Sequence, residues 1–303
     1  MREGMNSAPA DDELATSAKL AAPSAPPGGT TEKGTLISPP LSDRWSLTIR
    51  YVRLIIAGLV AAAIAFPGCA SASTAVFDDF NGPAGSAPNP ASWSYVTGHG
   101  WDRGVENYRS ANAVLDGQGN LAISAVESGR GFESGRVQTK NKLSLGYGKI
   151  TARIKMPSGQ GLWPAFWLVG ADEDTTPWPE SGEIDVIELV SGTTTYFTTI
   201  HGPKSGSSGP YQVQFSGPIP DLSTDYHEYW VEHVPDGITV GIDGTTLGTF
   251  TPQSLPAGAR WVYNRPMYAI LNLAVGGDWA GPPNASTRFP ATMLVDWFRW
   301  DPM

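Results

Sequence analysis

The stretch "YWVEHVPDGITVGIDGTTLGTF", Tyr229 to Phe250, packs three short runs of strand-forming residues around two turn signals, Pro235-Asp-Gly237 and Asp243-Gly244. Asp-Gly steps accept the positive backbone φ that tight hairpins need, so the stretch reads as an antiparallel meander. The same grammar extends along the chain in both directions. "NAVLDGQGNLAISAV" (112–126) reads as a hairpin around Asp116-Gly-Gln-Gly119, and "GKITARIKM" (148–156) alternates apolar and polar side chains. From Val76 onward helical periodicity is hard to find. Many short strands joined by Gly/Pro turns predict an all-β antiparallel sandwich or barrel, and about 230 residues suit one such domain.

The chain of 303 residues carries 29 acidic and 20 basic side chains. Its first 72 residues hold six of each, so the net charge of −9 belongs to residues 73–303. An acidic domain repels polyanions, which argues against nucleic acid and anionic membrane surfaces as partners and favours a neutral or cationic polymer. The chain is expected to act as a monomer.

Residues 1–49 are rich in Ala, Pro, Gly, Ser and Thr without apolar periodicity, and are expected to be a disordered leader. A basic start, Arg50-Tyr-Val-Arg53, then precedes the apolar run "LIIAGLVAAAIAF" (54–66) and "PGCASAS" (67–73), where Ala70-Ser-Ala72 has the small-residue form of a cleavage site. Residues 50–72 are therefore expected to be a secretory signal sequence, leaving 73–303 as the β-sandwich domain. Two alternatives stay open: an anchor through residues 54–66, although that run is short of the roughly 20 residues that span a bilayer, and a lipidated Cys69. Contact with a membrane is expected only through these segments. Cys69 is the one cysteine, so cleavage after Ala72 would leave a mature protein without disulfides.

"SGEIDVIELV" (181–190) crowds three carboxylates, Glu183, Asp185 and Glu188, into an apolar strand. Side chains alternate along a strand, which puts Glu183 and Asp185 on one face and Glu188 on the other. A β-bulge at Val186-Ile187 would bring Glu188 back beside its partners. At about 3.3 Å per residue over four effective steps, the two glutamate backbones would stand roughly 13 Å apart, and side chains leaning together close most of that gap. A final carboxyl separation of about 5–5.5 Å is what retaining glycosidases use, and about 6.5 Å or more indicates inversion. The residues suggest Glu183 as nucleophile, Glu188 as acid/base and Asp185 as the group that orients and hydrogen-bonds Glu183. The rival reading is a solvated acidic edge, which the apolar Ile184, Val186, Ile187, Leu189 and Val190 disfavour.

"GKITARIKMPSGQGLWPAFWLVG" (148–170), "WPESGEIDVIELV" (178–190), "TTIHGP" (198–203) and "LNLAVGGDW" (271–279) occur in this order, between "FDDFNGP" (77–83) and "MLVDWFRW" (293–300). The pattern resembles family-16 glycoside hydrolases, and within them the bacterial endo-β-1,3-glucanases called laminarinases. The resemblance implies a β-jelly-roll of two curved antiparallel sheets with a substrate cleft on the concave face. It also implies hydrolysis of internal β-glycosidic bonds with retention, with nucleophile, assisting aspartate and acid/base falling on Glu183, Asp185 and Glu188. Ser181 and Ile187 differ from the Cys and Met frequent in laminarinases, and neither carries the chemistry.

Trp163 and Trp167 lie four apart on a strand and so share a face, as platforms for pyranose rings in such a cleft. The resemblance adds Trp101, Arg136, Asn272 and Trp279 as cleft positions, and His201 as a group facing a sugar hydroxyl or the acids. Trp93, Trp230, Trp261, Trp297 and Trp300 are assigned to the core. No histidine spacing suggests zinc, and no cofactor is expected for catalysis. Relatives commonly hold a structural calcium away from the cleft, and Asp296 is the matching carboxylate. The rivals are the same machinery acting on mixed-linkage glucan, agarose or carrageenan, a transglycosylase with the same residues, and a non-catalytic glucan-binding protein.

Overall fold

The computed structural model describes residues 74–129, 131–206 and 209–303. The leader, the signal sequence, the apolar run 54–66 and Cys69 lie outside the described residues. Among the described residues no helix is long and apolar enough to cross a membrane.

Two sheets make the fold. One has seven strands, in the order Pro210–Pro218, Thr195–Pro203, Glu183–Glu188, Leu162–Gly170, Met267–Val275, Arg136–Gln138 and Ser94–Tyr95. The other has eleven, and its centre is His227–Val234, Gly148–Lys155, Ala291–Pro302 and Leu121–Ser128. The opening hairpins fall where the turns place them: His227–Val234 pairs with Gly237–Ile242, which pairs with Thr245–Phe250. The Asp116–Gly119 turn likewise joins Ala113–Leu115 to Leu121–Ser128. One pair departs from the antiparallel expectation, because Glu106–Tyr108 runs parallel to Gly131–Ser134.

The inner faces of the two sheets share one apolar core. Phe166 of the seven-stranded sheet meets Phe298 of the other edge-on at 6.3 Å, and Trp93 packs on Phe298 at 5.2 Å. Trp93, Trp230 and Trp300 are buried, as expected. Trp261 and Trp297 are not: both are half-buried, Trp261 lying against the core margin and Trp297 beside the exposed Phe77. A tryptophan's size favours burial, but these two sit where the core thins out at a loop and an outer strand face.

The acidic strand carries the bulge. Trp167 pairs with Asp185 and Phe166 with Ile187, so Val186 is the extra residue, and on the other side Asp185–Glu188 spans only Thr199–Phe197. Val186 and Ile187 are consecutive, yet both are fully buried in the core, as are Ile184 and Leu189. Burying an aliphatic side chain of this size is worth about 1.5–3 kcal/mol, against about 0.5–1.5 kcal/mol for a ladder hydrogen bond. The core therefore wins over regular pairing, and Glu188 turns to the side of Glu183 and Asp185.

Candidate active site

The outer face of the seven-stranded sheet holds two adjoining cavities, of about 360 and 680 Å³, and both are lined by Glu183, Asp185 and Glu188 together with Asp102, Trp163 and Trp178. The first runs over the Leu162–Gly170 and Met267–Val275 strands, the second over Thr195–Pro203 and Pro210–Pro218. All three sequence-predicted acids thus come together, and the strand crosses the middle of the cleft.

Their surroundings differ. Glu183 Oε1 lies 3.8 Å from His201 Nε2, its cross-strand neighbour. Asp185 is buried, and its Oδ2 faces the same nitrogen at 3.2 Å without a well-aligned hydrogen bond. The aspartate's immediate partner is therefore His201, which sits between it and Glu183; the direct Asp185–Glu183 bond expected from spacing gives way to a shared imidazole. Glu188 instead accepts a hydrogen bond from Trp163 Nε1 at 2.9 Å.

Burial pushes Glu183 up to about 8, helped by the charge of Asp185 and opposed by His201 and Arg136. Burial also raises Asp185, and it raises Glu188 well above the ordinary carboxylate range, with Asp185 adding to the effect and Trp163 opposing it. The Arg136 charge opposes the rise of Glu183, and the His201 charge opposes that of both glutamates.

The predicted binding residues reach the cleft in different ways. Trp163 and Trp167 share its floor as alternation requires, but each has a further duty. Trp163 holds Glu188, while Trp167 donates through Nε1 to Asn272 Oδ1 at 2.7 Å, and Asn272 Nδ2 donates to Tyr108 Oη at 3.2 Å. The Arg136 guanidinium lies over the Trp167 ring, 4.8 Å from its centroid, so a cation covers one face of that platform. Arg136 and Asn272 are buried beneath the cleft; Trp101 and Trp279 are exposed at its rims. Trp279 meets Trp163 edge-on at 5.1 Å and Phe197 at 4.8 Å.

The sequence reading missed several contributors. Trp178 lines both cavities, and Tyr108, Tyr268 and Glu173 line the first. Trp178 stands five residues before Glu183 in a motif already singled out, which was a usable signal; the others are placed by distant strand pairing. Glu106 is a fully buried carboxylate whose Oε2 accepts the Val275 N–H at 3.0 Å. Gly100 and Gly104 wrap it so closely that a Cβ at either would collide with it, which fixes the loop bearing Trp101 and Asp102. Gly182 has φ +73°, and a Cβ there would press on Val262 and the Tyr263 ring. Tyr263 in turn donates to the His201 carbonyl at 2.8 Å, so one loop residue braces both strands beside Glu183.

Asp296 lies in the Ala291–Pro302 strand of the other sheet, and its Oδ2 is taken by Arg153 Nη1 at 2.5 Å. Among the described residues no convergent set of three metal-ligating side chains includes it. Calcium wants six to eight oxygens, and Asp296 offers it Oδ1 at most without breaking that pair. The side chains present are a poor fit on their own.

The matching family model is glycosyl hydrolases family 16, over residues 102–299. The chain is 34% identical over 233 residues to a beta-glucanase of Rhodothermus marinus, covering 70% of this chain and 81% of that protein. It is also 34% identical over 257 residues to the glucan endo-1,3-beta-glucosidase A1 of Niallia circulans, covering 73% of this chain and 36% of that longer protein. The laminarinase catalytic domain of Thermotoga maritima superposes with a TM-score of 0.67 at 32% identity, over 75% of this chain and 97% of that domain. Family, two-sheet jelly-roll fold and the acids in the cleft agree, and the chain belongs to glycosyl hydrolases family 16.

Proposed function

We propose that the protein is a secreted, monomeric, retaining endo-glycosidase that hydrolyses internal β-1,3 linkages of β-glucans. The observation that carries this is the bulged strand, which sets Glu183 and Glu188 on one cleft face in unlike surroundings. Glu183, between His201 and the Arg136 charge, attacks the anomeric carbon. Glu188, buried and held by Trp163, keeps its proton longer and passes it to the leaving oxygen. Glu188 then takes a proton from water, which releases the sugar from Glu183 with net retention. Asp185 holds His201 in place beside the nucleophile.

The walls support a neutral polymer. Six carboxylates, Asp102, Glu173, Glu183, Asp185, Glu188 and Asp278, line the two cavities against the single guanidinium of Arg136, a poor reception for sulfated galactans. The relatives named above as a beta-glucanase and an endo-1,3-beta-glucosidase favour a β-glucan. Both glutamates are present, which speaks against binding alone.

A product assay over a panel of β-glucans and algal polysaccharides tests this reading. Release of oligosaccharides from laminarin is expected, with loss in Glu183→Gln while the fold survives; full activity in that variant would refute the assignment. Structural calcium at Asp296 is a proposal about stability alone. A Tm lowered by EDTA and restored by calcium supports it, and an indifferent Tm removes it.

A further inference from the structure

We propose that the cleft also contains an inhibitory site for a divalent metal of the zinc class, held by Glu183 Oε1, Asp185 Oδ2 and His201 Nε2. Among the described residues no other three His, Cys, Asp or Glu side chains converge in this way, with all ligand atoms within 4.8 Å of one another. Zinc binds nitrogen and carboxylate oxygen at about 2.0–2.2 Å in a tetrahedron, whose edges are then about 3.3–3.6 Å long. The His201–Asp185 and His201–Glu183 separations, 3.2 and 3.8 Å, bracket that edge, and the Glu183 and Asp185 oxygens lie within 4.8 Å of each other, close enough for side-chain rotation to bring all three onto one metal.

A second observation points the same way. Asp185 is more than nine-tenths buried, and its Oδ2, aimed at this point, takes no hydrogen bond. A buried carboxylate oxygen without a donor is costly, and a cation removes that cost. Glu183 and His201 each keep about a fifth of the side chain exposed, so the fourth coordination position opens toward the cavity. One imidazole with two carboxylates is a zinc-type donor set. Magnesium, which prefers an octahedral shell of oxygens, is poorly served.

Bound metal takes the lone pair of Glu183 and occupies the space of the sugar, so it competes with substrate. Only this consequence rests on the proposed glucanase function; binding itself does not. Zinc chloride titrated calorimetrically into the full chain is expected to bind one ion per chain, while magnesium does not compete. Affinity should fall in His201→Gln and Asp185→Asn by more than the roughly 10–100-fold that losing an outer-shell partner costs a metal site. Asp243→Asn, which breaks the exposed His227–Asp243 pair away from the cleft, should bind as the wild type does. Zinc-edge anomalous scattering from soaked crystals should give a peak between the three ligand atoms, and it decides the matter should a variant fail to fold. Equal zinc affinity in folded His201→Gln, or a peak only elsewhere, such as at the exposed His227–Asp243 pair, overturns the proposal. A chain that binds zinc here yet cleaves no β-glucan would sink the proposed function and leave the metal site standing.

Discussion

The two ends of the acidic strand, one bulge apart, offer a glutamate opposite environments. At the Glu183 end stand an imidazole and the Arg136 charge, and part of the side chain meets solvent. At the Glu188 end the carboxyl is buried, and its protein hydrogen-bond donor is the Trp163 indole. A regular strand would have put the two glutamates on opposite sides of the sheet, one of them in the core. What the contrast teaches is that one inserted residue supplies the shared face, while the neighbouring strands supply the difference in charge.

The largest expected effect comes from removing the insertion. Deleting Val186 makes the pairing regular and keeps Glu188 on the cleft face, two places after Asp185, but removes a fully buried side chain from the core. Removing a buried aliphatic side chain costs about 2–5 kcal/mol, so denaturant unfolding should show a loss of that size, while Glu188 keeps its place opposite Ala165. A folded deletion variant without activity would mean that the bulge itself, and not the parity of the strand, places Glu188.

Next in size is the loss of the Glu188 donor. A hydrogen bond to a charged group is worth about 1.5–3 kcal/mol, so Trp163→Phe should reduce kcat/KM by ~10–100-fold. The indole favours the ionised form of Glu188, so its removal raises that group further and moves the alkaline limb of the pH–rate profile to higher pH. His201→Gln should move both limbs upward, because the His201 charge lowers Glu183 and Glu188 alike in direction. His201 pulls Glu183 down, and without it the nucleophile ionises later, so the acid limb moves upward. If Trp163→Phe moves the acid limb as well, the two ends are not distinct. In the wild type both limbs should lie above the ordinary carboxylate value of about 4.3.

A smaller effect is expected on stability. The folded state holds the Glu183 proton up to about 8, whereas the unfolded chain releases it near 4.3. Stability from this group is fully present below about pH 4 and falls as pH rises through that window. Glu183→Gln removes the dependence, and its Tm should exceed that of the wild type at pH 8–9 by a few degrees, about 1–2 kcal/mol, with no advantage at pH 4. An equal Tm difference at both pH values would assign the effect to packing instead.

Much of this was legible in the sequence because it depends on local periodicity. The Asp-Gly turns marked the hairpins, and the five-residue gap between Glu183 and Glu188 demanded a bulge once both had to share a face. Trp163 and Trp167 followed from the same parity. The sequence did not carry what distant segments bring: Tyr108 reaching Asn272, the loop around Glu106 presenting Trp101, or Tyr263 bracing His201 from a loop 62 residues away. It also did not reveal that His201 would stand between the two acids that spacing alone had paired. Trp297 was misassigned because size does not say which side of a sheet a tryptophan faces, and Trp261, on a loop, packs only against the core margin.

The central claim is that the carboxylate flanked by His201 and Arg136 is the one that forms the bond to sugar. Incubation with a 2-deoxy-2-fluoro β-1,3-glucosyl substrate activated at its leaving group should trap that ester, and peptide mass spectrometry should locate it. The account predicts one label per chain, on Glu183. A label on Glu188 or Asp185, or inverted product with no label at all, would contradict it.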